Sequence, residues 1–314
     1  MRAATISAGA LVVAERPDPV PGTGQLLVRT RAAGVNAADL LQVQGLYPAP
    51  PGSPEDIPGM ELAGEVVGVG PDVQRFGPGD RVMAVVGGGA QAELVLVHER
   101  TALPVPDSLP WDAAGAFPEA FTTAHDALFT QCQLAIGERV LVHGAAGGVG
   151  TAAVQLAVAG GARTTATVRH PELRPAVGAL GAEAVGTDDF VERGPFDMVL
   201  ELVGGPNMPA NLAALATGGR ISVIGVGAGT TADIDLRTLM MLRGRIVAST
   251  LRARPLEAKA DAARRLEKHV LPLLADGQLQ VPIAARFDLD HVAEAYDRFA
   301  TPGKLGKVVV LTDG

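Results

Sequence analysis

Four glycines separate two apolar runs in the middle of the chain. The first run, residues 139–143, is β-branched and predicts a buried strand, whereas the second, residues 149–158, is rich in Ala and Leu and predicts a buried helix. Glycine permits a tight turn and a close approach to a phosphate, and a helix start presents unpaired N–H groups and partial positive charge. The order of strand, glycine turn and helix therefore predicts a dinucleotide site. Its glycines are Gly144, Gly147, Gly148 and Gly150.

The glycine turn departs at one position from the Gly-x-Gly-x-x-Gly pattern. Ala145 stands where the first glycine is expected, and Gly147 and Gly150 follow at the expected spacing. The flanking strand and helix supply the structural context that the pattern requires. The alternative is a tight turn with no ligand. We expect four residues to contact the cofactor phosphates: Ala145, Gly147, Gly148 and Val149.

The end of the second predicted strand indicates which nicotinamide cofactor is bound. Folds that bind NADH place a carboxylate there, about 20 residues beyond the glycines, to hold the ribose 2′-hydroxyl. Here Arg169 and His170 follow the strand, and no carboxylate does. A guanidinium pairs well with a 2′-phosphate, so the sequence predicts NADPH held by Arg169, with Arg174 as a second candidate. The alternative for Arg169 is a solvated surface side chain.

The wider pattern of the chain predicts an α/β protein. Before Pro118, short strands alternate with Gly- and Pro-rich turns and predict a β-rich domain. After Pro118, strand and helix signals alternate, as in a doubly wound parallel sheet of the Rossmann type. A charged helix is predicted over residues 256–274. Ligands bind at the carboxyl ends of such strands, so the turns that contain Val203, Gly225 and Val226 are predicted cofactor contacts.

Composition narrows the class of protein. A length of 314 residues suggests about two domains, and a net charge of −8 without a dense basic run makes nucleic acid an unexpected partner. The single cysteine, Cys132, excludes an internal disulfide and a multi-cysteine metal site, and it fits a reducing cytoplasm. Residues 1–14 lack the apolar core of an export signal, and residues 144–162 carry too many glycines for a membrane span. We expect a cytoplasmic protein.

Several stretches resemble one enzyme family from end to end. They are residues 34–47, 50–52, 59–66, 77–82, the glycine turn at 144–150 and residues 249–254. The chain resembles the zinc-independent medium-chain dehydrogenase/reductase superfamily, its quinone oxidoreductase family and, within that, the p53-inducible subgroup. The resemblance implies a GroES-like catalytic domain over residues 1–118 and 270–314, with a Rossmann NADPH-binding domain inserted over 119–269. It also implies a cofactor in a cleft and a homodimer or homotetramer.

The resemblance also implies that no metal takes part. Zinc-dependent members carry Cys where this chain has Asn36, and His where it has Met60, and the four-cysteine structural loop is missing. A carboxamide and a thioether are poor zinc ligands, and the six histidines show no paired ligand spacing. We therefore expect no metal site and reduction of an already activated acceptor.

Further site residues follow from the resemblance. Thr123, Ser249 and Leu251 are expected near the nicotinamide, and Lys307, after Gly306, in an element that closes over the cofactor. The resemblance places Asn36 and Tyr47 at the acceptor. The amide of Asn36 would donate to a quinone oxygen, and the phenol of Tyr47 would donate a hydrogen bond or stack. The alternatives are loop capping for Asn36 and aromatic packing for Tyr47.

Three functions remain open. The leading hypothesis is an NADPH-dependent quinone oxidoreductase that holds the nicotinamide over an electron-poor ring and excludes water. A second is an enoyl-thioester or alkenal reductase with Tyr47 as the proton donor. A third is an NADPH-binding redox sensor with little turnover.

Overall fold

The strands of the computed structural model, which describes residues 1–312, fall into three sheets. In chain order they are β1 Arg2–Ser7, β2 Ala10–Glu15, β3 Gln25–Gly34, β4 Glu61–Val69, β5 Arg81–Val85, β6 Leu94–His98, β7 Ala102–Pro104, β8 Arg139–Val142, β9 Arg163–Thr167, β10 Glu183–Val185, β11 Phe196–Glu201, β12 Leu215–Val223, β13 Arg245–Ala248, β14 Ile283–Asp288 and β15 Lys307–Leu311.

The helices lie between these strands. The α-helices are α1 Ala37–Val43, α2 Trp111–Gly115, α3 Pro118–His125, α4 Gly148–Ala159, α5 Arg174–Gly178, α6 Met208–Ala213, α7 Leu236–Leu242, α8 Leu256–His269, α9 Leu271–Ala275 and α10 Val292–Ala300. A π-helix, Asp126–Gln131, continues α3. Short 3₁₀ helices span Pro171–Leu173, Val191–Arg193, Gly205–Asn207 and Leu289–His291. Among residues 1–312, no helix has both the length and the apolar composition needed to cross a bilayer.

The chain divides into two units. The first unit comprises residues 1–122, 251–302 and 307–312, and the second comprises 123–250 and 303–306. The sequence placed the boundaries at 118/119 and 269/270, so the second differs by 19 residues. The difference is helix α8, which is held to the first unit: Arg264 donates to the carbonyl of Ala102 at 2.6 Å, and Glu267 pairs with Arg75 at 3.1 Å.

The second unit is built on a six-stranded sheet in the order β10-β9-β8-β11-β12-β13, with every pair parallel. Numbered from β8, this is the order 3-2-1-4-5-6 of a doubly wound nucleotide-binding fold, which confirms the predicted Rossmann sheet. The strands are buried apolar runs because helices cover the sheet. Leu141, Val199 and Ile221 are fully buried in its core.

The first unit contains a seven-stranded sheet around β3, in the order β14-β15-β3-β4-β5-β7, with β6 also paired to β3. Inward residues of adjacent strands, including Leu26, Leu62 and Val82, form one apolar core. Gly64 allows β4 to approach β3, because a Cβ there would lie 2.1 Å from the carbonyl oxygen of Arg29. The predicted GroES-like β-rich domain is confirmed.

Two predicted helices differ in detail. The helix expected over 256–274 breaks at Val270, because Pro272 lies in the first turn of α9 and a proline cannot continue α8. The helix expected over 208–215 ends at Ala213, and Leu215 already pairs with Phe196 in the sheet.

Candidate functional site

The glycine turn of the second unit joins β8 to α4 as expected. Helix α4 begins at Gly148 with no side-chain cap, so the N–H groups of its first turn, including that of Val149, have no intrahelical acceptor. Gly150 lets the turn fold back, since a Cβ there would lie 2.4 Å from the carbonyl oxygen of Gly144. A Cβ on Gly147 would meet only that oxygen, at 3.4 Å. The open face at Gly147 and the free N–H groups fit a bound pyrophosphate.

Two residues of the turn have already committed their N–H groups. Ala145 is fully buried and donates to the carbonyl of Thr167 at 3.2 Å, and Gly147 donates to that of Gly144 at 3.0 Å. The expected phosphate donors are therefore reduced to Gly148 and Val149. Gly306 donates to the carbonyl of Ala146 at 2.8 Å, so the short segment 303–306 lies against the turn.

Arg169 and His170 follow β9 at its carboxyl end. Arg169 is exposed, and its guanidinium has no acceptor within residues 1–312. The Nδ1 atom of His170 lies 3.4 Å from Glu172, whereas its buried Nε2 has no hydrogen-bond partner in the same part of the chain. Arg174, the second candidate, is drawn back toward the strand and donates to the carbonyl of Val168 at 3.4 Å. Arg169 is the guanidinium that an anion can reach.

The turn after β11 is held from inside by Glu201. Its buried carboxylate accepts from the N–H groups of Val203 at 2.6 Å and Gly204 at 2.8 Å. The carbonyl of Val203 accepts from Ala228. Both backbone groups of Val203 are thus satisfied within the protein, which leaves its side chain for the expected cofactor contact.

The turn after β12 approaches the one after β11 closely. A Cβ on Gly225 would lie 2.4 Å from the carbonyl oxygen of Leu202, so only glycine fits there. The next residue, Val226, is 45% exposed. Because both turns follow parallel strands at their carboxyl ends, they lie on the ligand-binding edge of the sheet.

The remaining predicted contacts fall in different units. Thr123, at the start of the second unit, is buried in α3, and Ser249 of the same unit donates to Asp126 at 3.5 Å. Leu251 belongs to the first unit, where it lines a small cavity with Thr122 and Lys259.

Asn36 and Lys307 meet in the first unit, and this departs from the roles expected for both. Lys307 is 4% exposed, and its ammonium contacts Glu61 at 2.6 Å, the side-chain oxygen of Asn36 at 2.5 Å and the carbonyl of Val35 at 3.1 Å. The amide of Asn36 donates to Glu61 at 3.0 Å and to Gly34 at 3.3 Å. All the hydrogens of both groups are used, so neither donates to an acceptor or a cofactor in this arrangement.

The same residues do not form a zinc site. The oxygen of Asn36 faces an ammonium, Glu61 is engaged by that ammonium and by the N–H of Glu119, and Met60 offers only a thioether. Within residues 1–312, no three side chains of the His, Cys, Asp and Glu types cluster as metal ligands. The ammonium of Lys307 supplies the positive charge of this cluster.

Asp39 is a second buried carboxylate beside this cluster. Its oxygens accept from the N–H groups of Asn36 at 2.8 Å and Gly59 at 3.2 Å. Burial raises the pKa of Asp39 from 3.8 to about 7, against the opposing effects of its hydrogen bond with Asn36 and of the nearby Lys307 and Arg252 charges.

This raised pKa predicts a pH-dependent stability. Folded Asp39 keeps a proton that the unfolded chain releases between about pH 4 and pH 7, so its contribution is full below pH 4 and declines as the pH rises toward 7. Each pH unit within the window removes about 1.4 kcal/mol from the unfolding free energy. Between pH 5 and pH 8, urea unfolding should show the wild type losing about 3 kcal/mol relative to Asp39→Asn. Asp107→Asn, at an exposed position, should follow the wild type; parallel profiles for Asp39→Asn and wild type would contradict the assignment.

Tyr47 carries the hydroxyl that remains open. Its ring lies 5.3 Å from the guanidinium carbon of Arg252, and its carbonyl accepts from the same guanidinium at 3.3 Å. Arg252 also donates to Gly87 at 2.7 Å and to Gln42 at 2.5 Å. The Tyr47 hydroxyl has no hydrogen-bond partner in the part of the chain that the structure describes. Arg252 thus fixes the ring and leaves the phenol able to donate.

Sequence reasoning missed the roles of Asp39, Arg252 and Lys307 in the first unit. A signal for two of them was available, because Asp39 interrupts an Ala- and Leu-rich run and Lys307 begins an apolar strand, and buried charges require partners. The identity of those partners was not predictable, since they lie far away in sequence.

Comparison with known proteins follows this geometry. Residues 22–107 match the alcohol dehydrogenase GroES-like domain, and residues 148–268 match the zinc-binding dehydrogenase domain. In structure, the chain is similar to an alcohol dehydrogenase superfamily protein from Novosphingobium aromaticivorans, with a TM-score of 0.88, 29% identity and complete coverage of both chains.

Two curated relatives bear on the family. The chain is 35% identical over 294 residues to polyketide synthase GfsB of Streptomyces halstedii; the match covers 91% of this chain but only 5% of that protein. It is 31% identical over 306 residues to quinone oxidoreductase of Homo sapiens, covering 93% of this chain and 91% of that protein. The two domain matches and the full-length match identify an oxidoreductase from a superfamily that binds nicotinamide cofactors. The chain belongs to the medium-chain dehydrogenase/reductase superfamily and, within it, to the quinone oxidoreductase family.

Proposed function

We propose that this oxidoreductase uses NADPH to reduce quinones or comparable activated acceptors without a zinc ion. The observation that carries the proposal is the saturated cluster of Asn36, Glu61 and Lys307, which offers no metal ligand set. Without a Lewis acid, the acceptor must be electron-poor already. When bound, the nicotinamide supplies a hydride from its C4 atom.

The residues of each unit have distinct tasks in this proposal. The first turn of α4, at Gly148 and Val149, binds the pyrophosphate, and Arg169 with His170 binds the 2′-phosphate. The Tyr47 hydroxyl donates to the acceptor oxygen as negative charge develops on it. The residues proposed on the nicotinamide side are Thr123, Val203, Gly225, Val226, Ser249 and Leu251.

The test is NADPH oxidation by the purified protein with ortho- and para-quinones, alkenals and a crotonyl thioester. We expect kcat/KM to be highest for a quinone. A clear preference for the thioester would overturn the quinone assignment, and tight NADPH binding without turnover of any acceptor would instead indicate a redox sensor.

A second candidate is the reduction of an enoyl thioester. The similarity to polyketide synthase GfsB and to other polyketide synthases favours it, although the match spans a small part of each of those proteins. This reaction needs a proton donor, and the unpartnered Tyr47 hydroxyl is available for that task. Tyr47→Phe should then lower kcat with the thioester more than with a quinone.

Arg169→Ala tests the choice of cofactor. We expect the ratio of kcat/KM for NADPH to that for NADH to fall about tenfold or more, because a charge-assisted bond to the 2′-phosphate is lost. Arg163→Ala is the matched control, since Arg163 is an exposed arginine at the opposite end of β9. An unchanged ratio in Arg169→Ala would remove this residue from the 2′-phosphate site.

We also propose a homodimer formed through the second unit. Strand β13 is an edge strand, and apolar side chains of α7 lie exposed in the same unit: Leu236 is 67% exposed, Met240 77% and Met241 73%. Exposed apolar side chains and an unpaired edge mark an interaction surface. Light scattering should give about twice the 32.1 kDa chain mass, and Met240→Glu with Met241→Glu should return it to one chain mass. A monomeric wild type would contradict this proposal.

A further inference from the structure

A buried polar chain runs across the ligand-binding edge of the parallel sheet in the second unit. His143, directly after β8, contacts the hydroxyl of Thr167, at the end of β9, through Nδ1 at 2.9 Å. Its Nε2 contacts the side-chain oxygen of Asn211 at 2.7 Å. The amide nitrogen of Asn211 donates to Glu201, at the end of β11, at 2.7 Å. All four side chains are at most 2% exposed.

The direction of every bond in this chain is determined. A carboxylate only accepts, so Asn211 must turn its NH₂ group toward Glu201 and its oxygen toward His143. His143 must therefore carry its proton on Nε2, and its Nδ1 accepts from Thr167. Burial lowers the pKa of His143, which keeps the ring neutral, and Phe190 packs edge-on against it with ring centroids 4.8 Å apart.

The position of the chain gives it a task. The strands it joins, β9, β8 and β11, are neighbours, and the order of strands reverses between β8 and β11. Dinucleotides bind across that point of reversal. The other oxygen of Glu201 holds the turn after β11 through the N–H groups of Val203 and Gly204, and through Asn207 at 3.3 Å.

We propose that His143, Asn211 and Glu201 are positioning residues that fix the turn after β11 for the nicotinamide half of the cofactor. The inference rests on the proposed nicotinamide function of this fold. The adenosine half is bound on the other side of the reversal, beyond β9, and does not depend on Glu201. Loss of the carboxylate should therefore weaken binding of the whole cofactor but not of its adenosine part.

The experiment compares Glu201→Gln with Glu201→Ala. In Glu201→Gln the chain can reverse: the new amide donates to Asn211, Asn211 donates to Nε2 of His143, and Nδ1 donates to Thr167. All bonds survive, so the NADPH Kd should change less than about threefold, while the ¹⁵N shifts of His143 should show the proton moving from Nε2 to Nδ1. In Glu201→Ala, the Kd for NADPH should rise at least about tenfold and that for 2′,5′-ADP less than about twofold.

Controls separate the possible failures. Glu183→Ala, an exposed carboxylate on edge strand β10, should leave both Kd values unchanged. If Glu201→Ala does not fold, Asn211→Ala replaces it, because it breaks the link to His143 and keeps the three bonds from Glu201 to the turn. A wild type that fails to bind NADPH would refute the proposed function, whereas the His143 shifts still test the chain. An Nδ1 proton in the wild type, or equal losses for NADPH and 2′,5′-ADP, would overturn the inference.

Discussion

Gly147→Ala should weaken NADPH binding at least about 100-fold while it changes the unfolding free energy by less than about 1 kcal/mol. The backbone of Gly147 is extended, with φ −76° and ψ 171°, so alanine adopts it without strain. Its methyl group would meet only the carbonyl oxygen of Gly144, at 3.4 Å, and otherwise points into open space. That space is where the pyrophosphate must approach the first turn of α4. Fluorescence titration with NADPH and urea unfolding measure the two quantities.

Two other glycines serve as comparisons. Gly150→Ala should destabilise the fold by about 1–3 kcal/mol, because its Cβ would lie 2.4 Å from the carbonyl oxygen of Gly144. Gly178→Ala, in α5, has no atom within 4 Å of its Cβ and should leave NADPH affinity unchanged. Full NADPH affinity in Gly147→Ala would show that the phosphates do not bind at this turn.

Lys307→Met should lower the unfolding free energy by about 3–5 kcal/mol. The ammonium is the cation that contacts Glu61 at 2.6 Å, in a site where both side chains are at most 4% exposed. Removing it leaves the Glu61 carboxylate buried beside Asp39 without its direct partner, and desolvating an unpaired charge is costly. Urea unfolding at constant pH measures the loss.

Two variants make this prediction specific to the ion pair. Lys268→Met removes an exposed lysine from the last turn of α8 and should change stability by less than about 1 kcal/mol. The double variant Glu61→Gln with Lys307→Met removes both charges and should be more stable than Lys307→Met by at least about 1 kcal/mol. If the double variant is no more stable than the single one, the ion pair does not account for the loss.

Local patterns in the sequence predicted much of the fold. The β-branched run before Gly144 and the Ala-rich run after Gly148 each have one secondary structure that suits them, so the strand, turn and helix were predictable to within a residue. Helix α1 was missed, although Asn36 and Asp39 have the spacing of a capping box and Asp39 does accept from the N–H of Asn36. Frequent Gly and Pro around it favoured loops and strands.

The candidate site was less predictable, because its contacts join distant parts of the chain. Asn36 was expected to donate to the acceptor, yet its partners are Glu61 and Lys307, which lie 25 and 271 residues away. Which side chains are left with a free hydrogen depends on such tertiary pairing and not on residue type. The cofactor roles of Arg169 and the phosphate turn stay predictions that rest on local pattern and on exposure.

Segment 303–306 makes the second unit discontinuous, and this limits how the unit can be transplanted. Gly306 donates to the carbonyl of Ala146 and bridges to Gly147, so the glycine turn is completed by a tetrapeptide encoded more than 150 residues downstream. A chimaera that borrows only residues 123–250 would lack that strut. Any recombination of this unit with another protein must supply the tetrapeptide as well, by a fused extension or a rearranged chain order.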